Sequence, residues 1–466
     1  MSPAADRKLK AKDCMKAKEI PSLDPLSLCN LTRCVALIVF LAMLGLSTVT
    51  AQTLTNGASH DGTVLLNQTN TWTFTANAGD NIILRAARLT TTNTFNPWVR
   101  IYNPIGVLIA DSGSSSTAVA SESALTTTNS GAFTVLVSDT SFSGSIGTGQ
   151  YRLYFAKFPG AFADPDDGGT FTNGGFSDGT IDLADLDFWT FTANAGDQIV
   201  LRSTRLSGNL QPYLRFYNSN GVLITNSTAG SSTITFELSL TMTNSGTFTV
   251  LVSDGSFNGV DDTGTYRIYF AKFPGAFFDP DDGGALTNGL ASEGTILLGD
   301  LDFWQFMACR GDSITLKVDE LTDANAFDPL IRLYGPSGIL VASQSGLSTA
   351  LINITVTNSG KFTLLISDGS SGGIAGSGGY RITGTGISGE GLRLCMPIIM
   401  GTNVDLAGMG GMPGTNFVLF THTNVATPRG LWTPIWTNQF DPFGAFSRTN
   451  LFNPAEQERY FLLRQE

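Results

Sequence analysis

Histidine is almost absent from this sequence: His60 and His422 are the only two among 466 residues. They lie in different predicted domains, so a Ser-His-Asp triad or a two-histidine metal site would need an unexpected long-range approach. We expect both on the surface. Aspartate and glutamate remain possible acid–base pairs, but the prominent aspartates lie in predicted turns and linkers. The sequence therefore predicts that the protein is not an enzyme.

Charged residues are also scarce, at 14%, and the helix formers Glu and Lys are few. In their place the chain has 52 glycines, abundant Thr, Ser and Asn, and 10% aromatics. This composition is typical of short strands joined by many turns. With 42% hydrophobic residues, the chain can build three or four domains with cores. The predicted fold class is all-β.

Long hydrophobic runs are nearly absent, and the one at residues 35–46 follows a basic leader. Small and polar residues then end at Ala51, which suits signal-peptidase cleavage after that residue. We predict that residues 1–51 are a secretory signal peptide. The alternative is an uncleaved membrane anchor, for which the run is short, since a span needs about 20 residues. The predicted location is secreted or cell-surface, with no membrane span after cleavage.

The chain without residues 1–51 is strongly acidic. It keeps 20 basic residues against 35 acidic ones, a net charge of −15. Such a surface repels phosphate backbones, and no cluster of Lys and Arg is present to release counterions. Nucleic acid is therefore excluded as a partner, and bound cations are favoured.

Cysteine is also rare, because cleavage would leave only Cys309 and Cys395. In an oxidising compartment two such residues either pair or stay buried as small apolar side chains. A disulfide would join the last module to the third repeat, but it requires the two Cα atoms to lie within about 7 Å. The sequence leaves both alternatives open and favours two separate thiols.

Three copies of one pattern fill most of the remaining chain, marked by Trp72, Trp189 and Trp304. Their spacing of about 115 residues fits one whole β domain per copy. Apolar and polar residues alternate in each copy and turn signals recur, which indicates antiparallel sandwiches or jelly rolls. We predict tandem β-sandwich domains at 52–158, 170–273 and 285–388, acidic linkers at 159–169 and 274–284, and a small C-terminal β module at 389–466.

The copies share further motifs: an Asp-x-Asp-aromatic strand at 185–189 and 300–304, a hairpin ending in Gly-Asp, an Arg-x-Tyr strand and a closing Tyr-Arg strand. In these motifs each copy resembles the bacterial pre-peptidase C-terminal family, although repeat 1 has Asn67-Gln-Thr-Asn70 in place of the aspartates. The resemblance implies a secreted jelly-roll domain, usually appended to hydrolases, linked to secretion or substrate adhesion, sometimes with calcium and without catalysis. The last module is similar to C-terminal modules of secreted Verrucomicrobia-type proteins, which implies no activity.

Both linkers carry clustered aspartates beside glycines. Calcium takes six to eight oxygen ligands, and the glycines let backbone carbonyls approach, so the linkers are candidate calcium sites. The spacing is not that of an EF-hand loop, and a solvated acidic turn is the alternative. The candidate ligands are Asp164, Asp166 and Asp167 in the first linker and Asp279, Asp281 and Asp282 in the second.

Arginine and tyrosine alternate outward on two strands of each repeat. If those strands are neighbours, they form one face that could stack sugars or bind acidic polymers. The alternative is a set of cross-strand pairs that stabilise the outer sheet face. The candidate ligand-binding residues are Arg100, Tyr102, Arg152 and Tyr154 in repeat 1 and Arg215, Tyr217, Arg267 and Tyr269 in repeat 2.

Two functions remain at this point. The favoured one is a non-catalytic extracellular repeat protein that binds or adheres to polysaccharide or to a protein surface. The alternative is a secreted hydrolase or hydrolase accessory protein that uses Asp and Glu residues in a cleft between domains. The ligand and the oligomeric state cannot be derived from the sequence.

Overall fold

A computed structural model of the chain describes residues 51–466 except 91–94, 113–118, 141–146, 165, 228–234, 257–259, 322–326, 371–373, 389–390, 401–402, 442–443 and 450–457. Residues 1–50 of the predicted signal segment lie outside the described residues. Within the described part of the chain, no helix is both long enough and apolar enough to cross a membrane.

The predicted all-β fold class is confirmed, and repeat 1 is a sandwich of two sheets. The first sheet has the order β1-β3-β8-β5-β6 and the second β2-β9-β4-β7. The strands are β1 (Gln52–Thr53), β2 (Ser59–Val64), β3 (Asn70–Ala76), β4 (Asn81–Arg88), β5 (Pro97–Tyr102), β6 (Leu108–Asp111), β7 (Ala120–Thr126), β8 (Gly131–Asp139) and β9 (Gly149–Phe158).

Repeats 2 and 3 have the same two sheets in the same strand order. Repeat 2 contains β10 (Gly168–Thr170), β11 (Phe176–Ile181), β12 (Leu186–Ala193), β13 (Gln198–Arg205), β14 (Pro212–Tyr217), β15 (Leu223–Asn226), β16 (Thr235–Thr241), β17 (Gly246–Asp254) and β18 (Gly264–Phe273). Repeat 3 contains β19 (Gly283–Ala285), β20 (Ala291–Ile296), β21 (Asp302–Ala308), β22 (Ser313–Glu320), β23 (Pro329–Tyr334), β24 (Leu340–Ser345), β25 (Thr349–Thr355), β26 (Gly360–Asp368) and β27 (Gly378–Thr385).

One pairing departs from the antiparallel pattern that the sequence predicts. The short first strand of each repeat pairs in parallel with the third, as β10 does with β12. A parallel neighbour needs a long connection, and here residues 171–185, which include the second strand of the repeat, supply it. The end of the linker therefore lies beside the start of β12, which carries Asp187 of the Asp-x-Asp motif.

The repeated tryptophans mark the core of each sandwich. Trp189 is buried and donates its indole N–H to the hydroxyl of Tyr266 on the opposite sheet, at 2.8 Å. A Cβ at Gly179, on the strand that pairs with β18, would lie 2.4 Å from the Tyr266 hydroxyl oxygen and 2.5 Å from its ring, so only glycine leaves room for the tyrosine. Repeats 1 and 3 have the same arrangement. A buried indole N–H needs an acceptor, which accounts for the tyrosine in the closing strand.

Consecutive repeats contact each other through sheet faces. We call the outer face of a repeat's second sheet its outgoing face, with Arg85, Glu122 and Tyr154 in repeat 1. The outer face of the next repeat's first sheet is the incoming face, with Arg215 and Tyr217 in repeat 2. Apolar side chains from both faces form one buried cluster: Ile83, Ala87, Ala120, Tyr154, Ala156, Phe158, Ala184, Leu186, Phe188, Tyr217 and Leu251. An equivalent cluster joins repeats 2 and 3.

A half-buried carboxylate between two buried guanidiniums crosses each interface. Glu122 accepts from Arg85 of its own repeat at 2.7 Å and from Arg215 of the next repeat at 2.7 and 3.0 Å. Arg85 also donates to the backbone carbonyl of Asp254, at 2.7 Å. Glu237 repeats this bridge between Arg202 and Arg332. Burial alone would raise the pKa of Glu122, but the two guanidiniums outweigh it and lower the pKa to about 2.

Aromatic rings from the linkers pack on the same faces. Phe158 stacks on Tyr217 with ring centroids 3.8 Å apart, and Phe162 stacks on Phe188 at 4.2 Å. The peptide bond between Phe158 and Pro159 is cis. Gly221 of repeat 2, at φ +76°, lies so close to this bond that a Cβ there would be 2.3 Å from the Pro159 nitrogen. The predicted linker is therefore part of the packed interface.

The C-terminal module consists of two small sheets with the orders β28-β30-β29, with β33 on β30, and β32-β31-β34. In the structure Cys309 of repeat 3 and Cys395 of the module form a disulfide with a Cα–Cα distance of 5.6 Å. Arg310 pairs with Asp405 beside it, at 3.2 Å. The elements are β28 (Arg393–Leu394), β29 (Ile398–Met400), β30 (Asn403–Met409), β31 (Asn416–His422), a 3-10 turn (Arg429–Leu431), β32 (Thr433–Gln439), β33 (Phe446–Arg448) and β34 (Tyr460–Gln465).

Candidate metal centre

Three aspartate side chains converge at each junction between repeats. One carboxylate oxygen from each of Asp164, Asp166 and Asp187 lies within 4.8 Å of the other two. The second junction has the same set, Asp279, Asp281 and Asp302. The linker supplies two of the three residues and β12 or β21 supplies the third, so the set forms only when the linker lies along the next repeat.

The parallel strand pair positions this cluster. Gly168 at the start of β10 pairs with Phe188 of β12, and the Phe188 N–H donates to Asp164 Oδ2 at 3.1 Å. A Cβ on Gly168 would lie 2.6 Å from the Phe188 carbonyl oxygen and 3.1 Å from Asp164 Oδ2. Glycine at this position is therefore required for the close approach of the linker carboxylate to the strand.

Asp187 is the buried member of the cluster, with no solvent exposure. Its Oδ2 accepts from the Tyr266 hydroxyl at 2.7 Å, which in turn accepts from Trp189. Its Oδ1 is buried and has no hydrogen-bond partner among the described residues. Asp302 at the second junction has the same satisfied and unsatisfied oxygens. A buried carboxylate oxygen without a partner is costly, and a bound cation would compensate it.

The electrostatics of the cluster support the same conclusion. Burial and the neighbouring carboxylates of Asp185, Asp164 and Asp167 raise the pKa of Asp187 to about 10. Burial and the neighbouring Asp166 also raise the pKa of Asp164. No described Lys or Arg side chain forms an ion pair with the three aspartates. A divalent cation in their midst would favour the ionised forms and reverse these shifts.

The donor set fits calcium. All three side chains offer hard carboxylate oxygens, which calcium and magnesium prefer, and no histidine or thiol accompanies them. Calcium needs six to eight oxygens and tolerates irregular geometry, so water or backbone carbonyls would complete the shell. Asp164, Asp166 and Asp187 would hold the ion at the first junction, and their equivalents would hold it at the second.

Four of the six converging residues are among the predicted ligands, and two are not. Asp167 and Asp282 are outside the clusters, because each accepts a backbone N–H on the second strand of its repeat, from Thr180 and Thr295, both at 2.6 Å. Asp187 and Asp302 take their places. Their signal was present in the Asp-x-Asp-Phe-Trp motif, which occurs only in the two repeats that follow an acidic linker.

In repeat 1 the equivalent position lies outside the carboxylate clusters found among the described residues. Asn70 replaces the aspartate and donates its side-chain N–H to the Tyr151 hydroxyl at 3.0 Å and to the Thr63 carbonyl at 2.8 Å. An amide satisfies the same tyrosine without charge. The departure of repeat 1 from the family pattern is therefore a neutral substitute for the buried carboxylate.

The predicted Arg/Tyr face does not form, and this expectation is wrong in its premise. The strands that carry Arg100 and Arg152, β5 and β9, belong to different sheets of the sandwich. Arg215, Tyr154 and Tyr217 are buried in the interface between repeats 1 and 2. Tyr269 is buried in the interface between repeats 2 and 3. Outward residues of a sheet were covered by the next domain, which the alternating pattern does not reveal.

Two of the remaining arginines of this set form cross-strand ion pairs, the alternative that the sequence left open. Arg152 pairs with Asp61 at 2.6 Å and Arg267 pairs with Asp178 at 2.6 Å. Arg100 and Tyr102 are half-buried on the incoming face of repeat 1. The two histidines lie in different domains; His60 accepts the Thr55 N–H and His422 accepts the Asn424 N–H.

Comparisons with known proteins confirm the resemblance that the motifs indicated. The family described as bacterial pre-peptidase C-terminal domain matches residues 185–254 in repeat 2. Among solved structures, the pre-peptidase C-terminal domain of a collagenase from Bacillus anthracis is 16% identical, with 23% of this chain and 97% of that chain covered and a TM-score of 0.19. No curated protein sequence gives a significant match.

Two further solved structures match the chain at low similarity. One is the M60 catalytic domain with two CBM51 domains of Clostridium perfringens ZmpB, at 11% identity, 70% of this chain, 38% of that chain and a TM-score of 0.17. The other is a tetra-tandem repeat from the extending region of a large adhesion protein, at 12% identity, 78% of this chain, 89% of that chain and a TM-score of 0.13.

Proposed function

We propose that the chain, whose repeat 2 matches the bacterial pre-peptidase C-terminal domain family, is a non-catalytic extracellular scaffold. Its sandwiches hold a fixed order, bind Ca²⁺ at the two repeat junctions, and serve adhesion to an extracellular polysaccharide or protein surface. The observation that carries the proposal is the repetition of one interface. The same Arg–Glu–Arg bridge, the same Phe–Tyr stack and the same three-aspartate cluster occur at both junctions.

Repetition of this kind is what a scaffold requires. Tandem domains with small polar contacts move freely relative to one another, whereas each interface here buries eight or more core side chains and a charged bridge. An enzyme would need one specialised site. The carboxyl groups with the largest pKa shifts occur instead in matched pairs at the structural joints, as Glu122 and Glu237 or Asp187 and Asp302 do, which supports a role in holding domains.

Calcium would act by joining the linker to the following repeat. Two of its ligands would come from the linker and one from β12 or β21, so binding adds a cross-link at the joint and removes the repulsion among three carboxylates. Folded chains with calcium should therefore resist heat and protease better than chains in chelator.

The calcium test uses isothermal titration calorimetry and thermal melting of the chain from residue 52. We expect two sites in the wild type and none in the Asp187→Asn/Asp302→Asn variant, which carries the asparagine that repeat 1 already accommodates. The matched control is Asp167→Asn/Asp282→Asn, which changes the same number of charges outside the clusters and should retain both sites. Equal melting temperatures in calcium and in chelator would refute calcium binding.

Adhesion is tested separately, with glycan and peptide arrays probed by the same chain in calcium. Binding without turnover supports the scaffold. The alternative, a hydrolase, is favoured by one observation: Asp164 and Asp166 line a cleft of about 510 Å³ together with Thr190, Thr247 and Thr249. Burial and the neighbouring Asp166 raise the pKa of Asp164, so these two carboxyl groups could act as acid and base. Cleavage of an array ligand that is lost in Asp164→Asn would establish the enzyme and overturn the scaffold.

A further inference from the structure

The two internal interfaces leave one face of each kind without a neighbouring repeat among the described residues. These are the incoming face of repeat 1 and the outgoing face of repeat 3. Comparison with the paired faces shows whether each has kept the groups that make the contact. The charged and aromatic contact groups are lost on one of these faces and kept on the other.

The outgoing face of repeat 3 has lost its contact groups. Leu351 occupies the position of Glu237, because it pairs in register with Lys317 as Glu237 pairs with Arg202. Thr383 replaces the interface tyrosine Tyr269 in the closing strand. Without the carboxylate and the ring this face cannot repeat the interface, and it closes the series as terminal repeats do.

The incoming face of repeat 1 has kept the charged and aromatic contact groups, Arg100 and Tyr102, while Thr69 and Thr71 replace the apolar Leu186 and Phe188 of repeat 2. Arg100 donates to Ser138 Oγ at 3.0 Å, as Arg215 does to Ser253 Oγ at 3.2 Å. Tyr102 pairs in register with Thr134 as Tyr217 does with Thr249. Both pairs lie at the same place on the incoming face, so repeat 1 presents the guanidinium and the phenol ring that repeat 2 uses for docking.

The described residues leave the space above this face open at two positions. Gly106 at φ +81° has no atom within 4 Å of a Cβ position, whereas a Cβ at the equivalent Gly221 or Gly338 would lie 2.3 or 2.2 Å from a linker proline nitrogen. Leu66 is 55% exposed, while its equivalent Leu183 packs in the interface cluster. No described carboxylate pairs with Arg100.

We propose that the incoming face of repeat 1 docks a β-sandwich of another protein that presents a carboxylate and an aromatic ring in the arrangement of Glu122 and Phe158. Arg100 lies 4.0 Å from the Trp98 ring, but Arg215 also stacks on Tyr213, at 5.1 Å, while it binds Glu122. Stacking therefore leaves the guanidinium free to pair. This docking goes beyond the proposed scaffold role and does not depend on calcium.

A second copy of this chain does not fit the site. Both carboxylate-bearing outgoing faces of the chain are covered by the following repeat, and the third lacks the groups. Two incoming faces packed on each other would oppose their Arg100 side chains, which like-charge repulsion disfavours. The complementary occupant is an acidic, aromatic sheet face on a different chain.

The test supplies such a face from the protein itself. An opened chain, Arg332→Glu/Tyr334→Ala, breaks the contact between repeats 2 and 3 and frees the native outgoing face of repeat 2. The opened chain also carries Arg100→Glu/Tyr102→Ala, so it can donate but not accept. Faster proteolysis of the 274–284 linker verifies the opening. The wild-type chain, which can accept but not donate, is then titrated into the labelled opened chain.

We expect a 1:1 complex by sedimentation and fluorescence anisotropy, with at least tenfold weaker binding when the titrant carries Arg100→Glu/Tyr102→Ala. The matched control titrant is Arg152→Glu, which changes an exposed arginine on the other sheet and should bind as the wild type does. A second opened chain, Gly338→Glu with the same incoming-face changes, repeats the test if the first variant fails to fold. No complex with either opened chain, or equal binding by all titrants, would overturn the proposal.

Discussion

Removal of the charge on Glu122 should open the interface between repeats 1 and 2. In Glu122→Gln the buried guanidiniums of Arg85 and Arg215 lose their shared carboxylate. Breaking a buried ion pair from one side costs about 3–5 kcal/mol. The two guanidiniums together hold the pKa of Glu122 at about 2, against an ordinary 4.5. Because Arg85 belongs to the same repeat and stays beside Glu122 when the interface opens, this shift corresponds to at most about 3 kcal/mol of interface stability. That upper value meets the lower end of the range for a buried pair.

The assay is the rate of proteolysis in the 159–169 linker, which is cleavable only when the interface opens. If opening is fast relative to cleavage, the rate follows the open population, and about 3 kcal/mol predicts an increase of about 100-fold at pH 7. The matched control is Glu293→Gln, which breaks the exposed pair with Arg381. An exposed pair contributes at most about 1 kcal/mol, so cleavage should change by less than about fivefold.

The same reasoning fixes the pH dependence. Because the pKa of Glu122 is lowered in the closed interface, its stabilisation is present above the pKa of the open state and is lost as the pH falls. The window runs from about 4.5 down to about 2. Cleavage of the wild type by pepsin should rise through this window and approach that of Glu122→Gln, which should be flat. If Glu122→Gln and Glu293→Gln are cleaved at equal rates at pH 7, the Arg85–Glu122–Arg215 bridge does not keep the interface closed.

Three further outcomes are expected. Gly221→Ala should open the same linker to protease while Gly106→Ala should not, because both carry the strain of a positive φ but only the first Cβ meets the Pro159 backbone. Titration of the unfolded, unreduced chain from residue 52 should find no free thiol, and Cys395→Ser should lower the stability of the C-terminal module by up to about 4–5 kcal/mol, the chain-entropy value for a loop of this length. Tyr266→Phe should lower the melting temperature of the chain, because Trp189 and Asp187 both lose a buried partner, worth about 1–3 kcal/mol each.

Local patterns were sufficient to predict the sandwiches. The alternation around Trp189 gives a strand with one buried face, and its repetition in three copies gives the domain count. The pattern also marks Tyr217 as outward. It does not say whether an outward face meets water or another domain, because both solutions leave the same period of two. The pattern therefore predicts Tyr217 on a ligand-binding surface, whereas in the structure its ring is buried against Phe158.

The three-aspartate cluster could not be predicted in full from the sequence, because no local pattern shows which strands pair. Asp164 and Asp187 are far apart in the sequence, and they meet because β10 pairs in parallel with β12. A three-residue edge strand of Gly and Thr has no apolar alternation by which to recognise it. The sequence therefore indicates the three neighbouring aspartates of the linker as the candidate ligands. Only the strand pairing shows that Asp187, and not Asp167, is the third member of the cluster.

The distribution of aspartates along the chain links the cluster to the joints rather than to the sandwich. Repeats 2 and 3 carry a buried aspartate, Asp187 or Asp302, and each follows an acidic linker that completes its cluster. Repeat 1 carries Asn70, and no acidic residue occurs between Asp24 and Asp61 to complete one. The sandwich itself needs only a hydrogen-bond partner for its buried tyrosine, which Asn70 supplies without charge. The buried carboxylate is thus present only where a second chain segment brings further carboxylates to it, which is the arrangement that a shared cation would stabilise.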